Sequence, residues 1–177
     1  MRLKKQEINR NGKRQKMKRW GKETLIYLLV IIIFSFAVDA WRTKDMPANT
    51  APALVGISTT GEAIDVIAMS QEKPVVVYFW ATWCAACRFV TPTINWFSDT
   101  YQVVGVSTSS GEDRRVSGYM RSHDYTFKNM NDTRGDISRK WGIQVTPTIV
   151  IIDKGEIKNI TTGITTPMGL FARLWLI

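Results

Sequence analysis

Two cysteines, Cys84 and Cys87, are the residues of this 177-residue chain whose type and spacing could do chemistry. They are the only cysteines in the sequence, and two residues separate them. A run of β-formers, Val75–Trp80, comes shortly before them. A strand that delivers a Cys-x-x-Cys pair to the first turn of a helix is an arrangement for dithiol redox chemistry, because the helix amides and dipole favour the reactive thiolate.

This chemistry assigns a different role to each sulfur. We predict that Cys84 is the attacking cysteine, since a thiolate at a helix N-terminus attacks a disulfide sulfur and forms a mixed disulfide. Cys87, one turn later, is then placed to attack the mixed disulfide and release the product. Arg88 adds positive charge close to the pair.

The two cysteines could also serve in a structural disulfide or in a metal site. A structural disulfide would close a very small loop and add little stability. Zinc requires four ligands, and the chain offers two cysteines and one histidine, His123, which we interpret as a surface residue. Cu(I) needs fewer ligands, so copper binding by the same cysteines stays open as an alternative function. We expect no bound cofactor.

The charge of the chain is concentrated at its N-terminus. Residues 1–22 hold ten of the 24 Lys and Arg residues and one of the 15 acidic residues, which leaves 14 of each sign for residues 23–177. The body of the protein is therefore neutral, and its net charge gives no reason to expect nucleic acid as a partner. We interpret residues 1–22 as a basic cytoplasmic tail.

An apolar segment follows the tail. Residues 24–38 are uncharged, and Trp20 and Trp41 bracket them as interfacial residues would. We predict a transmembrane signal-anchor at residues 23–41, with lipid contact through residues 20–41. The positive flank places the N-terminus in the cytoplasm and the remainder in the periplasm or another extracytoplasmic space, with a single pass through the inner (cytoplasmic) membrane.

A cleavable secretory signal is the alternative interpretation of this segment, because residues 38–40 include small side chains at plausible cleavage positions. In either case the body is exported, and disulfide chemistry suits an oxidising compartment.

The remaining sequence predicts a linker at residues 42–50 and one domain at residues 51–177. Strands alternate with helices and a hairpin closes the domain, which is typical of a three-layer α/β domain. The predicted elements are a hairpin at 54–57 and 63–66, a helical turn at 67–72, strands at 75–80, 103–107, 125–127 and 148–152, a closing strand at 156–161, and helices at 84–99, 111–122, 133–141 and from 167 onwards.

Several residues fix the expected ends of these helices. Ser110, with Asp113 three residues later, resembles a capping box. Asp132 can cap the next helix and Gly142 can end it. Thr166 precedes a proline and is the expected N-cap of the last helix.

Three motifs carry a family resemblance: residues 80–87 around Trp-Cys-Ala-Ala-Cys, residues 142–148 around Thr146-Pro147, and residues 153–155. Together they resemble the thioredoxin superfamily, and they are most similar to its exported, membrane-anchored TlpA/ResA-like branch, with the ScsD type as a candidate. The resemblance covers about residues 51–177. It implies a thioredoxin-like three-layer α/β/α domain with a mixed central sheet.

The resemblance also implies how substrate is bound. Pro147 should be a cis-proline facing the cysteines, and the backbone of Thr146 should pair with an extended substrate. Trp83 should flank the active-site surface, whereas Trp80 should lie in the core. The expected partners are protein disulfides or dithiols and a membrane electron donor or acceptor, with reduction of protein disulfides as the expected direction.

The sequence departs from the family pattern at the position of a buried carboxylate that many relatives carry behind the cysteines. Tyr78, six residues before Cys84, and Val90, three after Cys87, occupy the candidate positions, and neither is acidic. Ala85 and Ala86 also lack the proline or histidine found in other members. The proton path for Cys87 and the direction of electron flow, with oxidase and isomerase as alternatives, stay open at this point.

Overall fold

The computed structural model describes residues 49–177 continuously, residues 41–47, and scattered positions between 23 and 38. The predicted tail at residues 1–22 and parts of the predicted anchor at residues 23–41 lie outside the described residues. Among the residues that are described, no helix combines the length and apolar character needed to cross a membrane. The anchor therefore stays a prediction. Residues from 42 onwards form one compact unit, which includes the predicted linker.

This unit is an alternation of strands and helices. In chain order the elements are β1 (Val55–Ile57), β2 (Ala63–Asp65), α1 (Val66–Glu72), β3 (Val75–Trp80), α2 (Cys87–Phe97), β4 (Gln102–Thr108), α3 (Asp113–Ser122), β5 (Lys128–Asp132), α4 (Asp136–Lys140), β6 (Thr148–Asp153), β7 (Glu156–Thr162) and α5 (Pro167–Trp175).

Five strands form the central sheet in the order β5-β4-β3-β6-β7, and β1 pairs with β2 in a separate antiparallel hairpin. β3, β4 and β5 run parallel, whereas β6 is antiparallel to β3 and β7 is antiparallel to β6. The sheet is therefore mixed, as the resemblance implies. β3 lies at its centre and is buried along its whole length.

Alternate residues of β3 face opposite sides of the sheet, as the two-residue period of a strand requires. Val76, Tyr78 and Trp80 pack in a cluster with residues of α2, α3 and α5. The other three residues of β3 pack in a second cluster with α1 and the residues around Trp141. Helices thus cover both faces of the sheet, and the predicted three-layer α/β/α arrangement is confirmed.

The helix after β3 begins at Cys87, three residues later than the sequence predicts. Tight turns, in which an amide bonds three residues back, lie before and at its start: the Cys84 amide bonds to the Ala81 carbonyl at 3.1 Å, and the Arg88 amide bonds to the Ala85 carbonyl at 3.3 Å. Cys84 therefore precedes α2 instead of lying in its first turn. Pro92 lies inside α2, as predicted.

The short strand predicted at residues 125–127 is wrong, and β5 occupies Lys128–Asp132 instead. The aromatic residues that suggested a strand have other roles. The Tyr125 amide closes the end of α3 on the Met120 carbonyl at 2.9 Å, and Phe127 is buried among residues of the α2 side. The strand itself is polar in sequence because two of its asparagines serve a hydrogen-bond network described below.

Two predicted helix ends, at Gly142 and Thr166, are confirmed, whereas α4 begins at Asp136 with Gly135 as its N-cap, three residues later than the sequence predicts. The Asp132 carboxylate accepts from the amides of Ile137 (3.1 Å) and Ser138 (2.8 Å) in the first turn of α4. Gly142 follows α4 with a positive φ of 64°. The Thr166 hydroxyl accepts from the Gly169 amide at the start of α5.

Candidate active site

The cysteine pair lies where the central strand β3 passes into α2. Cys84 and Cys87 are joined by a disulfide, with their Cα atoms 5.3 Å apart. The Cys87 amide donates to the Cys84 sulfur at 3.1 Å. After reduction the same amide can stabilise a Cys84 thiolate, because a hydrogen-bond donor favours the charged form of the group that it contacts.

The two sulfurs differ in their access to solvent. Cys84 is 7% exposed and Cys87 is 2% exposed. Both cysteines belong to the cluster that also contains Val90 and Ile94 of α2, so the second cysteine is set into the core. The arrangement suits attack on an external disulfide at Cys84 and an internal second step at Cys87.

The segment before β6 meets the pair from the other side. The Thr146–Pro147 peptide bond is cis, which confirms this implication of the resemblance. The Cys84 sulfur lies 3.5 Å from the Thr146 carbonyl oxygen. The Pro147 carbonyl accepts from the Gly163 amide at 2.8 Å, which ties the proline to the segment after β7. The structure thus brings together Cys84, Cys87, Thr146 and Pro147.

The two tryptophans before the cysteines lie in different environments. Trp83 is 62% exposed, and its indole N–H donates to the Ser109 carbonyl at 3.0 Å. Trp80 is buried, and its indole N–H donates to the Asn129 side chain at 2.9 Å. The predicted division between a surface Trp83 and a core Trp80 is confirmed, while the role of Trp83 in substrate binding stays a prediction.

Ser110 is a residue of the site whose role the sequence analysis missed. The capping box predicted for it is wrong, because α3 begins at Asp113 with no side-chain cap. The Ser110 hydroxyl instead accepts from the Thr82 amide at 3.0 Å and donates to the Thr108 carbonyl at 3.1 Å. Topology could have revealed this contact, since the carboxyl ends of the parallel strands β3 and β4 meet at one edge of the sheet.

A buried polar network supports the turn that carries Ser110. The side-chain amide of Asn129 donates to the Ser107 hydroxyl at 3.0 Å, and that hydroxyl donates to the side-chain oxygen of Asn131 at 3.0 Å. The side-chain amide of Asn131 then donates to the Gly111 carbonyl at 2.8 Å. Because Asn129 also accepts from Trp80, the network runs from β3 through β4 and β5 to the turn that holds the cysteine loop.

Behind Cys87 the structure places two hydroxyls. The Thr91 hydroxyl donates to the Cys87 carbonyl at 2.7 Å, and the Tyr78 hydroxyl lies 2.8 Å from the Thr91 hydroxyl oxygen. Thr91 has one proton, so Tyr78 is the donor of this second bond. Burial raises the pKa of Tyr78, and the bond to Thr91 offsets part of this rise. Tyr78 is thus a neutral donor near neutral pH, and it does not replace a carboxylate as proton acceptor for Cys87.

The remaining predicted residues lie at the surface. Arg88 is exposed. His123 is also exposed, and its ring stacks on Tyr119 with the ring centres 4.2 Å apart. In the part of the chain that the structure describes, no three His, Cys, Asp or Glu side chains are grouped as a metal site would need. Copper binding by the cysteine pair alone is not tested by this observation.

A dithiol pair between a buried strand and a helix, opposite a cis-proline and on this mixed sheet, defines a thioredoxin-like thiol–disulfide oxidoreductase. The AhpC/TSA family matches the chain over residues 44–160. The chain belongs to this family.

Known proteins similar to the chain agree with this class. A thioredoxin-like protein of Haemophilus influenzae is 37% identical over 165 residues, which cover 90% of this chain and 96% of that protein. The thiol-disulfide oxidoreductase ResA of Bacillus cereus is 29% identical over 142 residues, or 73% of this chain and 82% of the relative. An exposed lipoprotein thioredoxin of Streptococcus pneumoniae has the same fold, with a TM-score of 0.64 and 19% identity over 71% of this chain and all of that one.

Proposed function

We propose that this protein is a membrane-tethered oxidoreductase that reduces protein disulfides on the exported side of the cytoplasmic membrane. The observation that carries the proposal is the Cys84–Cys87 disulfide, with the Cys84 sulfur 3.5 Å from the carbonyl of Thr146. The pair is the reacting group, and the cis-proline segment beside it is the surface on which a substrate is held.

The reaction consists of two exchange steps. The Cys84 thiolate attacks one sulfur of the substrate disulfide, forms a mixed disulfide and expels the other substrate sulfur as a thiolate. The Cys87 thiolate then attacks the Cys84 sulfur, re-forms the disulfide between the two cysteines and releases the second substrate thiolate. Two electrons pass from the protein to the substrate, and the substrate thiolates take up protons from water.

Thr146, Pro147 and Trp83 hold the substrate in this proposal. Pro147 has no N–H, and the carbonyl oxygen of Thr146 lies 3.5 Å from the Cys84 sulfur. An extended substrate can therefore pair with Thr146 as an added strand, which brings its disulfide to the attacking sulfur. Trp83, the residue before Cys84, offers a large exposed apolar surface.

The reducing direction is supported by how little the site stabilises the Cys84 thiolate. Ala85 and Ala86 supply no side-chain donor, which leaves the Cys87 amide as the donor to the Cys84 sulfur among the described residues. A dithiol becomes a strong oxidant when its reduced form is stabilised, so weak stabilisation favours a reductant. Each turnover leaves the protein oxidised, and the proposal therefore includes a membrane dithiol as electron donor.

The membrane tether is supported by sequence. The basic residues 1–22 precede the apolar residues 24–38 in the order of a cytoplasmic tail and an anchor. The Haemophilus influenzae relative aligns with 90% of this chain, so the alignment includes part of the sequence before residue 42. The relative thus also has residues that precede its catalytic domain in sequence and that align with residues of this chain before residue 42.

A trapping experiment tests the function. In the Cys87→Ala variant the mixed disulfide cannot resolve, so Cys84 should be isolated from membranes bound covalently to its substrate, which mass spectrometry then identifies. The matched control, Cys84→Ala/Cys87→Ala, should trap nothing. Equal recovery of proteins with both variants would refute the proposal, and tight stoichiometric Cu(I) binding without disulfide exchange would favour the copper alternative.

A redox titration tests the direction. Equilibration of the Cys84/Cys87 pair with glutathione buffers should give a reduction potential closer to the value of about −270 mV for thioredoxin than to about −120 mV for the oxidant DsbA. A potential near the second value would show that the pair acts as an oxidant.

A further inference from the structure

The residues just before the hairpin of β1 and β2 pack on the domain at two places. We call residues 43–47 the leading segment. Met46 in this segment is 7% exposed and lies in the same apolar cluster as Trp141, and its amide donates to the Thr43 carbonyl at 3.0 Å. Further along, the Asn49 carbonyl accepts from the Ile157 amide at 2.7 Å, and the Ala51 amide donates to the Gly155 carbonyl at 3.0 Å.

The first of these places is the end of α4, where the backbone of the leading segment comes very close to the backbone of Gly142. A Cβ atom at Gly142 would clash with the Asp45 carbonyl oxygen, and it would lie 2.7 Å from the Asp45 carbonyl carbon and 3.0 Å from the Met46 nitrogen. These neighbours are backbone atoms, which cannot rotate away as the end of a side chain can. The Gln144 side-chain amide also donates to the Asp45 carboxylate.

Gly142 is also the first residue of the loop that leads to the cis-proline. Residues 142–146 connect the end of α4 to Pro147, and the last of them, Thr146, lies against Cys84. Within this loop the Ile143 amide donates to the Ser138 carbonyl at 2.9 Å, and the Val145 carbonyl accepts from the Thr148 hydroxyl at 2.8 Å. The loop is thus bonded to α4 at one end and to β6 at the other, and only residues 143–146 separate Gly142 from Pro147.

We propose that the leading segment is a positioning element that sets where Thr146 lies relative to Cys84. The inference rests on the proposed function, because it concerns how substrate is held for disulfide exchange. It assigns the residues directly after the predicted anchor to the support of the substrate-binding loop. Because this loop offers the main-chain groups with which an extended substrate pairs, a displacement of Thr146 should weaken substrate binding measurably.

Two single-site variants of the full chain separate this contact from backbone strain. Gly142→Ala adds a methyl group that collides with the leading segment, at a residue whose φ is 64°. The matched control is Gly61→Ala, since Gly61 has a φ of 89° and nothing lies within 4 Å of the added Cβ. Both variants carry the cost of a positive φ, and only the first displaces the leading segment.

Steady-state reduction of a disulfide-bonded peptide is the main measurement, with reduced glutathione supplied to regenerate the Cys84–Cys87 dithiol and the rate without protein subtracted. Gly142→Ala should raise KM by about fivefold or more and leave kcat within about twofold, because the loop binds substrate and takes no part in sulfur exchange. Gly61→Ala should change neither. Met46→Ala, which removes the buried side chain of the segment, should raise KM as well, and its effect should not add to that of Gly142→Ala.

The outcomes also separate this inference from the proposed function. An active wild-type chain whose KM is unchanged in folded Gly142→Ala and Met46→Ala would overturn the positioning role and leave the function standing. A wild-type chain without disulfide exchange would instead refute the function. Hydrogen exchange then decides the positioning role. Met46→Ala should speed exchange of the amides at residues 143–146 and not at residues 148–152. Exchange of residues 143–146 at the same rate in wild type and Met46→Ala would overturn the positioning role.

Discussion

Replacing Thr91 with valine should lower the free energy of unfolding by about 1–3 kcal/mol, although the two side chains have nearly the same shape. The Thr91 hydroxyl donates its only proton to the Cys87 carbonyl, and the Tyr78 hydroxyl donates to the Thr91 hydroxyl oxygen at 2.8 Å. In Thr91→Val the Tyr78 hydroxyl remains buried with no acceptor. The magnitude is that of desolvating one unpaired polar group.

A double-mutant cycle with Tyr78→Phe tests this explanation. Tyr78→Phe alone should cost about 1 kcal/mol, because Thr91 keeps its bond to Cys87 and no buried donor is left unpaired. In the double variant the unpaired hydroxyl no longer exists. The double variant should therefore be more stable than the sum of the single losses predicts, by about 1 kcal/mol or more.

Urea unfolding of the oxidised proteins at pH 7 is the assay, with m-values checked for equality so that midpoints report stability. Single losses for Tyr78→Phe and Thr91→Val that add to within about 0.5 kcal/mol would refute the coupling between the two hydroxyls. A loss below about 0.5 kcal/mol for Thr91→Val would refute the unpaired-donor argument itself.

Three further predictions concern other parts of the domain. Burial raises the pKa of Tyr78 above its ordinary value of 10.0, so above about pH 10 the unfolded chain loses a proton that the folded chain keeps. The free energy of unfolding should then fall by up to about 1.4 kcal/mol per pH unit more steeply in wild type than in Tyr78→Phe, as measured by urea titrations between pH 9 and pH 11. Ser110→Ala leaves the Thr82 amide without its acceptor and should cost about 1–3 kcal/mol in urea unfolding, with faster hydrogen exchange at that amide. Thr166→Ala removes the N-cap of α5 and should cost about 1 kcal/mol in the same assay.

Each of these has a control or an outcome that would contradict it. Parallel pH profiles for wild type and Tyr78→Phe would show that Tyr78 titrates normally in the folded state. Ser122→Ala is the control for Ser110→Ala, because Ser122 is an exposed serine that bonds only within its own helix end, and it should change stability by less than about 0.5 kcal/mol. Equal losses for the two serine variants, or no loss for Thr166→Ala, would show that these hydrogen bonds do not contribute as assigned.

Periodicity and local end signals predicted most of the fold. The apolar run of β3, the glycine after α4 and the Thr-Pro start of α5 each act through residues close in sequence, and each is found as predicted. The start of α2 was displaced because the Cys87 amide bonds to a sulfur instead of a carbonyl. Helix propensity scales do not take into account a side-chain sulfur that competes with main-chain carbonyls for an amide.

The parts of the site that were missed depend on contacts between distant segments. Ser110 has the local pattern of a cap, yet its hydroxyl bonds to an amide 28 residues earlier. Thr91 carries no motif, and its role follows only when α2 is packed over Tyr78. Cys84 and Cys87 were predictable because the chemistry needs cysteines at that spacing, and Thr146 and Pro147 were predicted through the family resemblance, whereas many side chains could have supported them.

The pairing of residues 49–51 with the beginning of β7 also bears on self-association. β7 is the outermost strand on its side of the sheet, and an uncovered outer strand can recruit strands from other molecules. The chain's own backbone occupies the first hydrogen-bonding positions there, and the exposed ion pair of Lys158 with Glu156 follows along the strand. Growth of an intermolecular sheet from this end of β7 would first require the protein to release residues 49–51, so the segment before the first hairpin also protects this edge of the sheet.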